Sequence, residues 1–354
     1  MRKYLDQLKV LYLIKTLDVG GAERFVVNLC TYFENKLLSI SVFSSGGIFQ
    51  ESLNDFKIKS YEFKSTFNKN PIVYYKILNK LKKIILEENF DIIHCQHRIF
   101  LPALYLINPR SSKIIYTAHN IFSDMYQKII YPDIAIGITP TITENLISTT
   151  YLKPDKIVNI NYGVEIPDIV TPYKSKLTIG FIGRIIEPKG IFIFLDSIKK
   201  LISEISEVNI IIRGNGSELN VVKQKILNLN LKNSVELNSS IIDLNLLYKG
   251  VDILVLPTFM NEGLPLSILE AMARKILVIS SDSGGIKDVI KNNITGLLIK
   301  KKDAEDLYNK MKFALDNYDS LQGIINNAYH LVKNNYYLGK MLKEYEELYQ
   351  SSVN

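Results

Sequence analysis

Short apolar runs alternate with longer segments of helical period from one end of the chain to the other. The runs at Val10–Ile14, Ser39–Ser44, Asp91–Cys95, Lys113–His119, Ile134–Thr139 and Lys156–Asn161 are rich in Ile, Val or Tyr and bounded by polar or glycine residues, which predicts strands. Helical periods lie between them at Glu23–Phe33, Ile72–Glu88 and Thr143–Thr150. The rhythm breaks at Ile166–Ser175, where two prolines and no clear period predict a linker. It then restarts with strands at Leu177–Gly183, Val208–Arg213, Ser234–Leu237, Asp252–Leu256, Leu277–Ser281 and Gly296–Ile299 and a helix over Leu266–Ala273. From Asp303 onward the tail reads as helical, with breaks near Ser320 and Gly339. Strands alternating with helices predict an α/β protein with parallel sheets. The expected organisation is two doubly wound, Rossmann-like domains, 1–167 and 168–335, facing a cleft, with a last helix at 336–354 packed back on the first domain.

In such sheets ligands bind beyond the carboxyl ends of the strands, so the chemistry is expected in the loops that follow them. The first is Asp18–Arg24, whose Gly20 and Gly21 precede a helix and suit either an anion or a tight turn. It is not G-x-G-x-x-G, so the dinucleotide fingerprint is absent. His119 ends its strand as a candidate donor to a sugar hydroxyl or phosphate, or as a structural histidine. His94 and His97 lie near another strand end, but no acidic or thiolate cluster completes a metal set, so no metal site is expected. Arg184 and Lys189 occupy the loop Gly183–Gly190 and could grip phosphate oxygens. Gly214 and Gly216 form a further glycine turn, and Ser283-Gly284-Gly285 precedes a helix. The stretch Pro257–Glu270 carries two carboxylates, Glu262 in the loop and Glu270 more than a turn into the helix. Taken alone that pair reads more readily as a capping acid plus a solvated helix face than as chemistry.

Composition narrows the class. A chain of 354 residues, 47% of them hydrophobic, can bury two cores. The net charge of +7 is spread evenly: residues 1–170 hold 20 Lys+Arg and 16 Asp+Glu, the remainder 23 and 20. That distribution forms no basic arm, which argues against nucleic acid as a partner. Cys30 and Cys95 build neither a disulfide framework nor a metal set, and no stretch reaches membrane-spanning length, so a cytoplasmic setting is expected.

Taken together, Gly20-Gly21-Ala22-Glu23, His119, Gly183-Arg184 with Lys189-Gly190, Gly214-x-Gly216, Glu262-Gly263-x-Pro265 with Glu270-Ala271, Ser283-Gly284-Gly285 and Gly296-Leu297-Leu298 resemble a retaining GT-B glycosyltransferase of family 4. The resemblance spans nearly the whole chain in order and is densest from Leu177 to Ile299. It implies a metal-independent, cofactor-free enzyme that takes a nucleoside-diphosphate sugar, most often a UDP-sugar in this family. The acceptor is a saccharide or a lipid-linked saccharide, and the setting is bacterial surface polysaccharide or glycoconjugate biosynthesis. Carried over residue by residue, Glu270 accepts from the ribose hydroxyls and Glu262 lies against the transferred sugar with Gly263, Leu264 and Pro265 beside it. Arg184 and Lys189 hold the diphosphate with Gly20 and Gly21, His119 contacts sugar or phosphate, and Gly214, Gly216, Leu237 and Asn238 face the base. Glu262, His119, Arg184 and Lys189 form the expected catalytic set.

The chain departs from the family where Tyr162 is inserted in Asn161–Glu165, where Ser217 stands for a common Pro and Asn238 for a common Gly. These departures touch base and interdomain contacts. A nucleotide-sugar epimerase of the same fold and a non-catalytic sugar-binding paralogue are the competing readings. Retention of Arg184, Lys189, Glu262 and Glu270 together argues for the active transferase. The basic, aromatic segment Ile72–Ile84 suits either peripheral contact with anionic lipid at the inner membrane face or a helix with one face on the sheet and solvated lysines.

Overall fold

The computed structural model describes residues 4–63, 71–122, 132–168, 176–241 and 243–353. Seven strands are all parallel: β1 (Lys9–Leu13), β2 (Ser39–Ser44), β3 (Ile58–Glu62), β4 (Ile92–Cys95), β5 (Lys113–Ala118), β6 (Ile134–Gly137) and β7 (Ile157–Asn159), ordered β3-β2-β1-β4-β5-β6-β7. Six more form a second parallel sheet: β8 (Leu177–Ile182), β9 (Val208–Arg213), β10 (Val235–Asn238), β11 (Ile253–Leu256), β12 (Leu277–Ser281) and β13 (Leu297–Ile299), ordered β10-β9-β8-β11-β12-β13. The chain divides into two compact units, Met1–Asn161 with Gly339–Asn354, and Tyr162–Leu338.

The central strands are buried on both faces, as β4, β11 and β12 show, which is why they read as continuous apolar runs. Each sheet reverses its strand order once, at β1/β4 in the first unit and at β8/β11 in the second. At such a reversal the following helices pass to opposite faces and leave a crevice beyond the strand ends. The loops carrying Gly20 and Gly21, and those carrying Lys189 and Glu262, follow these strands.

Most predicted elements are present within a residue or two, and two differences have physical reasons. Strand β3 was not expected: Ile58-Lys59-Ser60-Tyr61-Glu62 is an edge strand pairing only with β2, and three of its five residues are exposed, so it lacks an apolar run. The tail breaks at Tyr318–Leu321, as expected near Ser320, and again at Tyr336, three residues ahead of Gly339. Tyr336 leaves helical geometry, Val164 donates its amide to the Tyr336 carbonyl at 2.8 Å, and Leu338 donates to the Val164 carbonyl at 2.8 Å. Gly339 is then the second residue of the helix Leu338–Ser352. The first residues of the predicted linker are described, whereas 169–175 lie outside the described residues.

Helix Pro71–Glu88 buries Ile77, Leu81, Ile84 and Ile85, while Lys76, Lys80, Lys82 and Lys83 are exposed along with Ile72, Tyr75 and Leu86. Among the described residues no helix is long and apolar enough to cross a membrane.

The helix Leu338–Ser352 buries Met341, Leu342, Tyr345 and Tyr349, a stripe at helical spacing. It belongs to the first unit through buried polar contacts. Tyr349 Oη lies 2.6 Å from His94 Nδ1, Thr117 Oγ1 lies 2.7 Å from His94 Nε2, and Tyr345 Oη reaches Thr117 Oγ1 at 3.2 Å. His94 sits inside β4, not at its end, and both ring nitrogens are occupied by these hydroxyls. Burial pushes its pKa down from 6.5 to about 3, so the ring is neutral.

Candidate functional site

In the second unit, glycines bring the loops after β8, β9, β11 and β12 together. Gly190 has φ +81°, and a Cβ there would stand 2.1 Å from the Pro257 carbonyl oxygen. That close approach lets the Phe259 amide and the Thr258 hydroxyl donate to the Pro188 carbonyl, at 2.9 and 3.1 Å. Gly284 has φ +54°, and a Cβ there would stand 2.0 Å from the Glu262 carbonyl, to which Gly285 donates its amide at 3.2 Å. The Ser283 hydroxyl donates to Met260 O at 2.7 Å. The backbone around Glu262 is therefore held from both sides before any ligand arrives.

On this scaffold Lys189 Nζ lies 2.6 Å from Glu262 Oε2, and both side chains are over nine-tenths buried. Arg184 Nη2 lies 3.9 Å from Glu262 Oε1 with its side chain 56% exposed. Burial lowers the Lys189 pKa below its ordinary value, with Glu262 pulling the other way and Arg184 adding to the lowering. Two cations thus face one carboxylate, the Lys189 side chain buried and the Arg184 side chain more than half exposed. Gly263, Leu264 and Pro265 are buried beyond Glu262, and Pro265 starts the helix Leu266–Met272.

Glu270 is 5% exposed on that helix, with Tyr248 donating its hydroxyl to Glu270 Oε2 at 2.7 Å. Gly214 follows β9 with φ +147°, and its amide donates to the Asn238 carbonyl at 3.1 Å, so the β9 and β10 loops meet. A Cβ on Gly216 would stand 2.3 Å from Ile185 O. Asn238 Oδ1 accepts from the amide and hydroxyl of Ser240, both at 3.1 Å, while Leu237 pairs with Ile212 in the sheet.

In the first unit Gly20 caps the helix Gly21–Phe33 in an extended conformation, φ −171°, with the Glu23 carboxylate folded over its Cα. His119 is half-buried beyond β5 with Nε2 2.9 Å from Gln96 Oε1 and its ring edge-on to Phe25. Burial, with His97 and His94 adding to it, holds its pKa well below 6.5, so it acts as a neutral hydrogen-bonding group. The Lys15 amide donates to His97 Nδ1 at 3.3 Å, and burial lowers the His97 pKa to about 4.

Three residues went unnoticed in the sequence. In the sequence Arg213 is placed only at a strand end, and Tyr248 and Arg274 are given no role. The signal for Tyr248 was available, because a tyrosine buried ahead of a core strand needs a partner for its hydroxyl.

Residues 165–331 match the family described as glycosyl transferases group 1, and residues 19–166 match glycosyltransferase family 4. The chain is a group 1 glycosyltransferase. This glycosyltransferase is 26% identical over 340 residues to the Campylobacter jejuni GalNAc-alpha-(1->4)-GalNAc-alpha-(1->3)-diNAcBac-PP-undecaprenol alpha-1,4-N-acetyl-D-galactosaminyltransferase, covering 91% of this chain and 92% of that protein. It is 24% identical over 312 residues to the Escherichia coli UDP-Gal:alpha-D-GlcNAc-diphosphoundecaprenol alpha-1,3-galactosyltransferase, covering 78% and 80%. A Rickettsia africae glycosyltransferase structure superposes with TM-score 0.82 at 24% identity over 99% of both chains. Anabaena HepE, solved with UDP-glucose, superposes with TM-score 0.83 at 18% identity over 98% of this chain and 100% of its own. The glycosyltransferase has the two-domain α/β GT-B fold.

Proposed function

We propose that the enzyme moves a sugar from a nucleoside-diphosphate donor, a UDP-sugar first, to a hydroxyl of a lipid-linked saccharide, with retention at the anomeric carbon and without a metal. The observation that carries this reading is the convergence of Arg184 and Lys189 on Glu262 beyond β8 and β11, where the sheet reverses. The named relatives add support: two act on undecaprenyl-diphosphate-linked saccharides by their names, and HepE was solved with UDP-glucose.

As the anomeric C–O bond breaks, negative charge builds on the departing diphosphate and positive character on the sugar ring. Lys189 and Arg184 stabilise the first, and the Glu262 carboxylate lies beside the second. The acceptor oxygen bonds to the anomeric carbon on the face the diphosphate leaves, and the acceptor proton passes to the departing phosphate. Glu270 accepts from the ribose hydroxyls, and Gly214, Gly216, Leu237 and Asn238 line the base. The proposal keeps Gly20, Gly21 and His119 as ligand-facing groups at the carboxyl ends of β1 and β5. It also places the exposed lysines and Ile72 and Tyr75 of helix Pro71–Glu88 at the anionic inner face of the membrane, where a lipid-linked acceptor resides.

A thermal-shift panel of UDP-, GDP- and ADP-sugars tests the donor class, because a bound ligand raises stability by mass action. Nucleotide release is then followed in Lys189→Ala and Glu270→Ala, each expected to lose about 100-fold or more. Near-normal turnover by both variants refutes the site.

A further inference from the structure

Glu270 is a carboxylate buried on a helix that otherwise turns Ile268, Leu269, Ala271 and Met272 into the core. A buried carboxylate is costly unless its oxygens are engaged, and a glutamate side chain left to itself samples many rotamers. The Tyr248 hydroxyl answers both demands. It lies 2.7 Å from Glu270 Oε2, with the longer Ser267 carbonyl contact at 3.3 Å, and Tyr248 is itself 3% exposed.

Tyr248 is in turn held from two directions. Arg274, one turn beyond Glu270, donates to the Glu270 carbonyl at 3.1 Å and to Asn245 Oδ1 at 3.1 Å, with its guanidinium 4.9 Å from the Tyr248 ring centroid. Arg213, at the end of β9 and 7% exposed, points Nη1 at the carbonyls of Leu246, Leu247 and Lys249, at 3.1, 2.9 and 2.8 Å. These carbonyls close the end of the helix Leu244–Tyr248, where the Leu246 carbonyl also accepts from the Lys249 amide at 3.3 Å. A guanidinium at that end fixes the backbone from which the Tyr248 side chain departs.

We infer that Tyr248 is a positioning residue for the donor's ribose: its hydroxyl sets the Glu270 carboxylate in place before the nucleotide binds, and Arg213 anchors the helix that carries it. The inference rests on the proposed role of Glu270 as ribose anchor. Ordering the carboxylate in advance removes part of the entropic cost of capturing the ribose hydroxyls, so the gain appears in affinity for a ribonucleotide and nowhere else.

Calorimetry on the full chain tests this with whichever of UDP, GDP and ADP binds the wild type tightest, alongside its 2′,3′-dideoxy analogue. Tyr248→Phe keeps the ring and removes the hydroxyl. It is expected to weaken the ribonucleotide about tenfold and the dideoxy analogue by less than about twofold. Equal losses on both nucleotides, or no loss on either, overturn the inference, since a merely structural role would not tell them apart. Glu270→Ala separates the two layers: if it keeps the wild-type preference for the ribonucleotide, the ribose-anchor reading fails and the inference with it. Wild type that binds none of the three diphosphates sinks both. Should Tyr248→Phe not fold, Arg213→Lys replaces it, which keeps the cation and loses the fork. It must show the same ribonucleotide-selective loss, and a non-selective or absent loss overturns the inference.

Discussion

Gly190 shows how much one backbone position decides. Its φ of +81° and the Pro257 carbonyl 2.1 Å from where a Cβ would stand leave no room for a side chain, and the next residue back is Lys189. Gly190→Ala is expected to cost about 1–3 kcal/mol in urea unfolding and to raise KM for the donor, because the Lys189 loop must move off Pro257. Lys189 and Glu262 make a different case: each is the other's buried partner, at 2.6 Å. Glu262→Ala is expected to destabilise by about 3–5 kcal/mol, since it strands a buried ammonium whose pKa is already lowered. A loss under about 1 kcal/mol in the same unfolding experiment would show that the pair is solvated. In the sequence Glu262 and Glu270 look like one pair of carboxylates eight positions apart. In the structure each has its own partner, Lys189 from the loop after β8 for the first and Tyr248 from the helix Leu244–Tyr248 for the second.

At the scale of elements the helix Leu338–Ser352 is the instructive one. Its stripe of Met341, Leu342, Tyr345 and Tyr349 predicts a buried face, yet only the fold says that the face meets His94, Thr117 and Tyr12. His94 is held neutral there, with its pKa near 3 against an ordinary 6.5. In the window between those values the unfolded chain takes up a proton and the folded chain does not, so stability falls as pH drops below 6.5 and this loss ends near 3. His94 therefore contributes a loss of about 2 kcal/mol between pH 7 and pH 5. Urea unfolding of His94→Gln at the two pH values is expected to be flatter by about that amount, though less stable throughout. Equal slopes in variant and wild type would mean the ring charges in the folded state. Strand β3 marks the opposite limit: an exposed edge with a single neighbour leaves too faint a pattern to read, whereas β11 and β12, buried on both faces, are plain.

For the molecule as a whole, the residues proposed to bind the donor, Gly20 and Gly21 apart, lie in the unit Tyr162–Leu338. A nucleoside diphosphate at 100-fold its Kd is expected to stabilise that unit by about 2.7 kcal/mol. Hydrogen exchange should slow most over residues 183–190 and 257–270, and protection confined to the unit of Met1–Asn161 and Gly339–Asn354 would contradict the donor assignment. The even, mild positive charge of the sequence, +7 overall, offers attraction to an anionic donor from either half of the chain and singles out neither. It is the folded positions of Arg184 and Lys189 that concentrate charge at one strand reversal.

Local periodicity and turn chemistry were enough to determine the parallel α/β architecture, the two repeats of it, and the glycine loops at the strand ends. Apolar runs, helical stripes and glycines are properties of neighbouring residues, so they survive in one dimension. The tertiary structure alone decided which groups meet. Lys189 and Glu262 are 73 positions apart, Tyr248 and Glu270 22, His94 and Tyr349 255. Those encounters depend on strand order and on where each crossover returns the chain, and neither period nor propensity encodes them.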